Sequence, residues 1–269
     1  MAICTSGNLI PQQAGQGATA RRRIKNSALQ ETGVIMYYEK DWVYSFIYNS
    51  NRIEDIRHPL ASIKNMIEEW ESETNAYEKS LYEKHYKEVI EHYKAIMFVL
   101  ENFQDKKPKF TDVLEIHRIL MKGQLSAADC GALRTVQVWV GQHVPPAPGQ
   151  HIMSESEKFS RYLDSLDDAQ ARATSKDAMY KAIYEAHCKF ETLHPFRDGN
   201  GRSGRLLWLA LLCYYGFEFN EIDFDDRSMY YRSLEQRQLS YEECREEDYA
   251  NFGYWYPPRP YYQISGQIS

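Results

Sequence analysis

From Gly201 to Tyr215 the chain is apolar on almost every face, with Leu206, Leu207, Trp208, Leu209, Leu211 and Leu212 falling all round a helical wheel. A helix of that kind is stable only when other elements surround it, so it must run through the middle of a core. It opens inside a polar run, HPFRDGNGRSGR at residues 194–205, that places Arg202 and Arg205 in its first turns. Cations at a helix N-terminus oppose the macrodipole by roughly 0.3–1 kcal/mol each. An anion of several charges between the two arginines removes the conflict, and a nucleotide triphosphate is the natural candidate.

The rest of the chain supplies the surrounding helices. Between Tyr37 and Gln104, Ile63, Met66, Ile67 and Trp70 recur at helical spacing, and Tyr86, Val89, Ile90, Tyr93, Ile96, Met97 and Leu100 do so more strongly. The DKKPK stretch at 105–109 ends that pattern, because proline cannot continue a helix. Phe110 to Met121 restarts one, with Thr111 or Asp112 as its cap. Residues 134–144, RTVQVWVGQHV, alternate Val136, Val138 and Val140 at period two before Pro145 and Pro146, the pattern of a strand in a short hairpin. Met153 to Leu166 is helical. Ser175 caps a further helix through Met179, Ile183, Ala186, Phe190 and Leu193, which Pro195 stops. Two weaker helices are expected at 226–239 and 241–251. The expected architecture is all-α with one β-hairpin. Residues 1–28 read as a mobile tail, 29–109 as an N-terminal helical region, 110–253 as the core and 254–269 as an aromatic, proline-rich end.

Composition narrows the function classes. The net charge of −6 gives no global reason to expect nucleic acid. No run approaches the roughly 18 apolar residues of a membrane span. The basic cluster near the start follows the weak apolar part, the reverse of a secretory signal. Five scattered cysteines without a C-x-x-C pair suggest neither a zinc site nor a disulfide framework, so a cytoplasmic protein is expected.

The polar run sits between two buried helices. Phe196 is expected to plug it into the core. Gly199 and Gly201, flanking Asn200, permit backbone angles other residues resist and can turn several N–H groups toward one point, an anion nest at a helix N-terminus. Asp198 suits the magnesium ion that a polyphosphate brings. His194, past one helix and before Pro195, lies outside helical geometry and can take a proton from an incoming hydroxyl. A helix C-terminus favours the protonated imidazole and nearby cations oppose it, so the sequence leaves its protonation open. GNGRSG at 199–204 also fits G-x-G-x-x-G, but an amphipathic helix precedes it where a dinucleotide site needs a strand. His187 reads as packing.

The run resembles the signature of the Fic family, H-x-F-x-D/E-G-N-G-R-x-x-R, with His194, Phe196, Asp198, Gly199, Asn200, Gly201, Arg202 and Arg205 at the specified positions. Ala186, His187, Phe190 and Glu191 resemble its lead-in helix. Gly131 to Arg134, Val138, Gly141, Pro145 and Pro146 resemble its flap. The resemblance covers about residues 110–220 well and the N-terminal helices loosely. It implies a helical core with a β-hairpin flap near 134–146, and transfer of AMP from ATP to a Ser, Thr or Tyr hydroxyl of a target protein. His194 would then be the base and Asp198 the magnesium ligand. Gly199, Asn200 and Gly201 would cradle phosphates, and Arg202 and Arg205 would neutralise the β- and γ-phosphates. The flap would hold a target segment as an added edge strand.

Ser50 and Glu54 further resemble an inhibitory motif, S/T-x-x-x-E-G/N, on a helix near 45–56, with Asp55 departing from Gly or Asn. The resemblance implies that Glu54 pairs with Arg205 and keeps it from the γ-phosphate. Removal of AMP, or transfer of another nucleotide or phosphate-bearing group, would suit the same residues. A non-catalytic nucleotide sensor would need the nest but not His194. The implied partner is a protein with a hydroxyl side chain, this chain included through its tyrosine-rich end. A homo-oligomer, and delivery into another cell, both remain compatible with the sequence.

Overall fold

The computed structural model describes residues 39–138, 149–172, 174–219 and 221–243. The expected tail at 1–28 and the end at 254–269 lie outside the described residues. Among those described are nine α-helices: α1 Lys40–Ile53, α2 Leu60–Ser72, α3 Ala76–His85, α4 Lys87–Asn102, α5 Phe110–Leu120, α6 Ile152–Arg172, α7 Lys176–Leu193, α8 Asn200–Tyr214 and α9 Arg227–Glu243. The all-α expectation holds for them.

Helix α8 is the centre. Every residue from Arg202 to Cys213 is buried, and α7, α5, α4 and α1 all pack on it. The apolar surface of α8 therefore fixes where four other helices lie. Ser175 caps α7 as its sequence predicts, its hydroxyl accepting the Ala178 N–H at 3.2 Å. At α5 the cap differs from expectation. The helix starts at Phe110, and Asp112 acts from the third helical position, its carboxylate accepting the Lys109 N–H at 2.8 Å. The two weak helices expected at 226–239 and 241–251 are replaced, as far as Glu243, by the single helix α9.

The strand expected at 134–144 does not form over its described part. Residues 134–138 are irregular, and 139–148 lie outside the described residues. The physical reason is where the backbone bonds go. The Arg134 N–H donates to the Pro195 carbonyl at 2.9 Å, and the Arg134 guanidinium donates to the Val136 carbonyl at 3.0 Å. A loop and a side chain take the groups that a neighbouring strand would need.

Helix α1 ends in an unusual way. Its last turns bury Asn49, Ser50 and Asn51. Asn51 donates to the Glu88 carbonyl at 3.2 Å and accepts from His92 Nδ1 at 2.8 Å, which fastens α1 to α4. The end is a Schellman motif: Ile56 N–H bonds the Asn51 carbonyl at 3.0 Å and Asp55 N–H the Arg52 carbonyl at 3.1 Å. Asp55 therefore takes the left-handed position, with φ 59°. Glycine or asparagine is the usual residue there, and aspartate is tolerated because its short polar side chain bonds locally.

Candidate active site

The loop between α7 and α8 is built by hydrogen bonds to its own backbone. Asn200 turns its amide back on the chain, accepting the Phe196 N–H at 2.8 Å and donating to the Phe196 carbonyl at 2.9 Å. Phe196 is fully buried, as expected of a plug, and its ring stacks on His117 at 3.7 Å between centroids. The amide of Asn200 is thereby occupied, so only its backbone N–H faces a ligand. The first α-helical bond of α8 runs from the Ser203 N–H to the Gly199 carbonyl at 3.0 Å. The N–H groups of Asn200, Gly201 and Arg202 belong to the first turn, which has no intrahelical acceptor.

The two glycines serve different needs. Gly199 has φ 74°, a left-handed conformation, and a Cβ there would meet Met121 Sδ at 2.4 Å. Gly201 is helical and is needed for space. A Cβ on it would lie 2.2 Å from Glu54 Oε1. The carboxylate of Glu54 thus sits over the first turn of α8, where the nest points.

Arg205 is almost wholly buried and held by the end of α1 and the residue that caps it, with Tyr230 of α9 also bonding it. Its Nε donates to Ser50 Oγ at 2.9 Å, and one terminal nitrogen donates to the Ser50 carbonyl at 3.0 Å and to Glu54 Oε1 at 2.7 Å. Burial is the largest single influence and pulls its pKa down, but Glu54, Tyr230 and Glu191 together outweigh it and hold the pKa above its ordinary value. Arg202 is buried too, yet among the described residues it has no carboxylate within ion-pair distance. It donates to Gln124 Oε1 at 2.9 Å and toward Met121 Sδ at 3.4 Å, and its Nε has no acceptor. Burial lowers its pKa, with Glu54 and Asp198 opposing at longer range. A buried, underpaired guanidinium beside the positive end of a central helix suits an anion.

His194 takes a left-handed conformation at the end of α7, φ 49°. Its Nδ1 lies 3.2 Å from the Glu191 carbonyl, which can only accept, so Nδ1 carries the proton and Nε2 is the free base. Burial depresses its pKa to about 4; the Glu191 carbonyl opposes this and Arg134 adds to it. The imidazole is therefore neutral at pH 7, which resolves the conflict between helix end and local cations. Asp198 is exposed at the mouth of the loop, with Oδ1 accepting the Gly199 N–H at 2.6 Å. One carboxylate beside a phosphate nest fits magnesium, which keeps most of its own waters.

Several residues at the site escaped the sequence reading. His117, Met121 and Gln124 on and just after α5 support the loop. Each stands near the apolar stripe of that helix, a position that by default means core. Glu191 had been noted only in the lead-in helix. It is buried, its Oε1 has no hydrogen-bond partner among the described residues, and burial raises its pKa to about 8, with Arg205 opposing and Glu54 adding. His187 is packing, as expected: it stacks on Trp208 and bonds the Gly204 carbonyl at 2.9 Å.

The sequence model of the Fic/DOC family matches residues 108–212. The chain is 33% identical over 199 residues to Protein adenylyltransferase Fic of Nematostella vectensis, covering 73% of this chain and 44% of that protein. It is 31% identical over 210 residues to the protein of the same name in Drosophila melanogaster, covering 77% and 40%. The chain thus spans under half the length of these curated relatives. A Fic domain containing signaling protein from Bacteroides thetaiotaomicron superposes with a TM-score of 0.57 at 22% identity, covering 73% of this chain and 72% of that one. Fic-1 from C. elegans gives 0.57 at 24%, covering 75% and 56%. These two likenesses speak to the fold. Residues 108–212 of the chain thus carry a Fic/DOC domain.

Proposed function

We propose that the chain is a protein adenylyltransferase held in check by its own α1. The supporting observation is the position of Glu54. A carboxylate tethered to α1 sits on Arg205 and over the first turn of α8, standing where the outer phosphates of ATP would sit. Arg202, underpaired and buried, is the second cation awaiting an anion. The names of the curated relatives support AMP as the group transferred.

In this reading Asp198 would hold magnesium, whose charge would offset that of the phosphates. The N–H groups of Asn200, Gly201 and Arg202 receive the phosphates, Arg202 the β-phosphate and Arg205 the γ-phosphate. Nε2 of His194 takes the proton of a target Ser, Thr or Tyr hydroxyl. That oxygen bonds to the α-phosphorus while the bond to the bridging oxygen breaks, and pyrophosphate leaves. Most of the acceleration comes from positioning and preorganised charge. Residues 134–138, at the start of the expected flap, border the target. Transfer requires Arg205 to leave Glu54, and Ser50 sets the arginine's present orientation.

ATP labelled at the α-phosphate tests this with wild type, Glu54→Gly, and Glu54→Gly combined with His194→Ala. We expect at least tenfold more label on protein with Glu54→Gly than with wild type, and none with the double variant. Equal label in the first two removes Glu54 from the mechanism. Label in the double variant removes His194.

A further inference from the structure

We propose that His117 is a positioning residue for this reaction, holding the Asp198 loop and the root of the target-facing segment in one fixed relation. The proposal rests on the adenylyl-transfer reading for its kinetic consequences, though not for its geometry.

His117 is fully buried on α5, and both ring nitrogens are bonded to backbone. Nε2 lies 2.9 Å from the Asp198 carbonyl, and Nδ1 accepts the Gly131 N–H at 2.8 Å. A carbonyl can only accept and an amide N–H can only donate. The ring is therefore the neutral Nε2–H tautomer, and no other protonation state satisfies both partners. Its face is stacked on Phe196, 10° from parallel. The ring thus touches the motif loop twice, through the Asp198 carbonyl and the Phe196 face.

Gly131 is pressed against α5 to reach the ring. Its φ is +73°, and a Cβ there would lie 2.7 Å from the Leu114 carbonyl and 2.9 Å from Arg118 Cβ. Three residues on, Arg134 continues the lacing. Its N–H bonds the Pro195 carbonyl at 2.9 Å, and its Nε donates to the His194 carbonyl at 2.7 Å. The segment that leads into residues 134–138 is therefore tied to the motif loop at His194 and Pro195, with Arg197 reaching Asp129 as well, and His117 bonds both from α5. It touches neither the nest nor the base, so it acts through Asp198 and Gly131. Misplacing a reacting group by about 1 Å can cost on the order of a hundredfold in rate.

The test uses the full chain carrying Glu54→Gly, with His117→Phe and His117→Gln added separately. Phenylalanine keeps the stack and loses both bonds. Glutamine keeps a donor for Asp198 and loses the bond to Gly131. Amide hydrogen exchange reads the geometry without activity. We expect Gly131 and residues 198–203 to exchange at least tenfold faster in His117→Phe, with the core of α7 unchanged. Calorimetry of ATP with and without magnesium, and kcat against KM for the target, read the consequence. His117→Phe should lower kcat at least tenfold and reduce the magnesium enhancement of ATP binding at least fivefold. His117→Gln should keep that enhancement and raise KM for the target. Local exchange unchanged in His117→Phe overturns the proposal, whatever the parent's activity. So does uniform loosening of α7 and the loop together, which marks a purely structural residue. If His117→Phe does not fold, His117→Gln decides: exchange at Gly131 equal to the parent overturns the proposal. A parent that neither binds ATP nor labels protein speaks against adenylyl transfer alone.

Discussion

His194 shows how one residue is prepared by its surroundings. Its left-handed backbone swings the ring off the axis of α7, and the Glu191 carbonyl fixes Nδ1 as the protonated nitrogen. Burial and Arg134 keep the ring neutral down to a pKa of about 4. The sign follows directly. Above about 4 the base form is present; below it the proton blocks Nε2. The kcat/KM of Glu54→Gly should therefore stay level from about pH 7.5 to 5.5 and fall only near 4. A pH–rate profile with its acid limb centred at about 6.5, the ordinary value for histidine, would mean that substrate entry exposes the ring. At this scale the sequence was informative about identities but not about orientation. It pointed to Asn200 as part of a nest, while the fold uses the Asn200 amide to close the loop. It gave no local sign of His117, whose partners lie far along the chain.

Among elements, α1 is the one whose position decides the state of the site in the proposed reading. Besides Asn51 on α4, it is gripped by the segment that precedes and opens α9. The Phe224 N–H donates to Asn49 Oδ1 at 3.1 Å, the Tyr231 hydroxyl donates to the Ile53 carbonyl at 2.9 Å, and Ser45 donates to Glu221 at 2.7 Å. Arg52 also lies over the Phe224 ring at 4.1 Å. Each neutral bond contributes about 1 kcal/mol. Tyr231→Phe and Asn49→Ala should therefore raise transfer by the otherwise wild-type chain several-fold, and leave Glu54→Gly unchanged. Equal gains in both backgrounds would place these residues outside the control of Glu54. Helices α7 and α8 were legible because long apolar stripes set their extents. The end of α1 was legible only through the resemblance of Ser50 and Glu54 to an inhibitory motif, because its inward face is Asn49, Ser50 and Asn51, which pattern reading assigns to solvent. The strand at 134–144 was misread over its described residues because alternation says which side chains could share a face, not which acceptor the backbone finds.

For the whole molecule, buried titratable groups set a pH window. His92, His117, His187 and His194 are all depressed by burial, the last three to about 4, 3 and 4. The unfolded chain binds protons at these groups below about 6.5 and the folded chain does not, so stability is lost as pH falls from there. Glu191, raised to about 8, works in the opposite sense: the folded chain keeps its proton and stability is lost as pH rises toward 8. Tm should therefore peak at about pH 6–7, and Glu191→Gln should flatten the alkaline side and steepen the acid side above about pH 4.5. Thermal melts across pH 4.5 to 9 check this; an unaltered alkaline slope in Glu191→Gln would assign that slope elsewhere. The ion pair between Glu54 and Arg205 carries one more consequence. Its anion is attached to the molecule it blocks, so its effective concentration at the nest is set by the geometry of α1 and not by how much protein is present. In the proposed reading, ATP must displace a neighbour that never diffuses away, and diluting the protein gives the nucleotide no advantage.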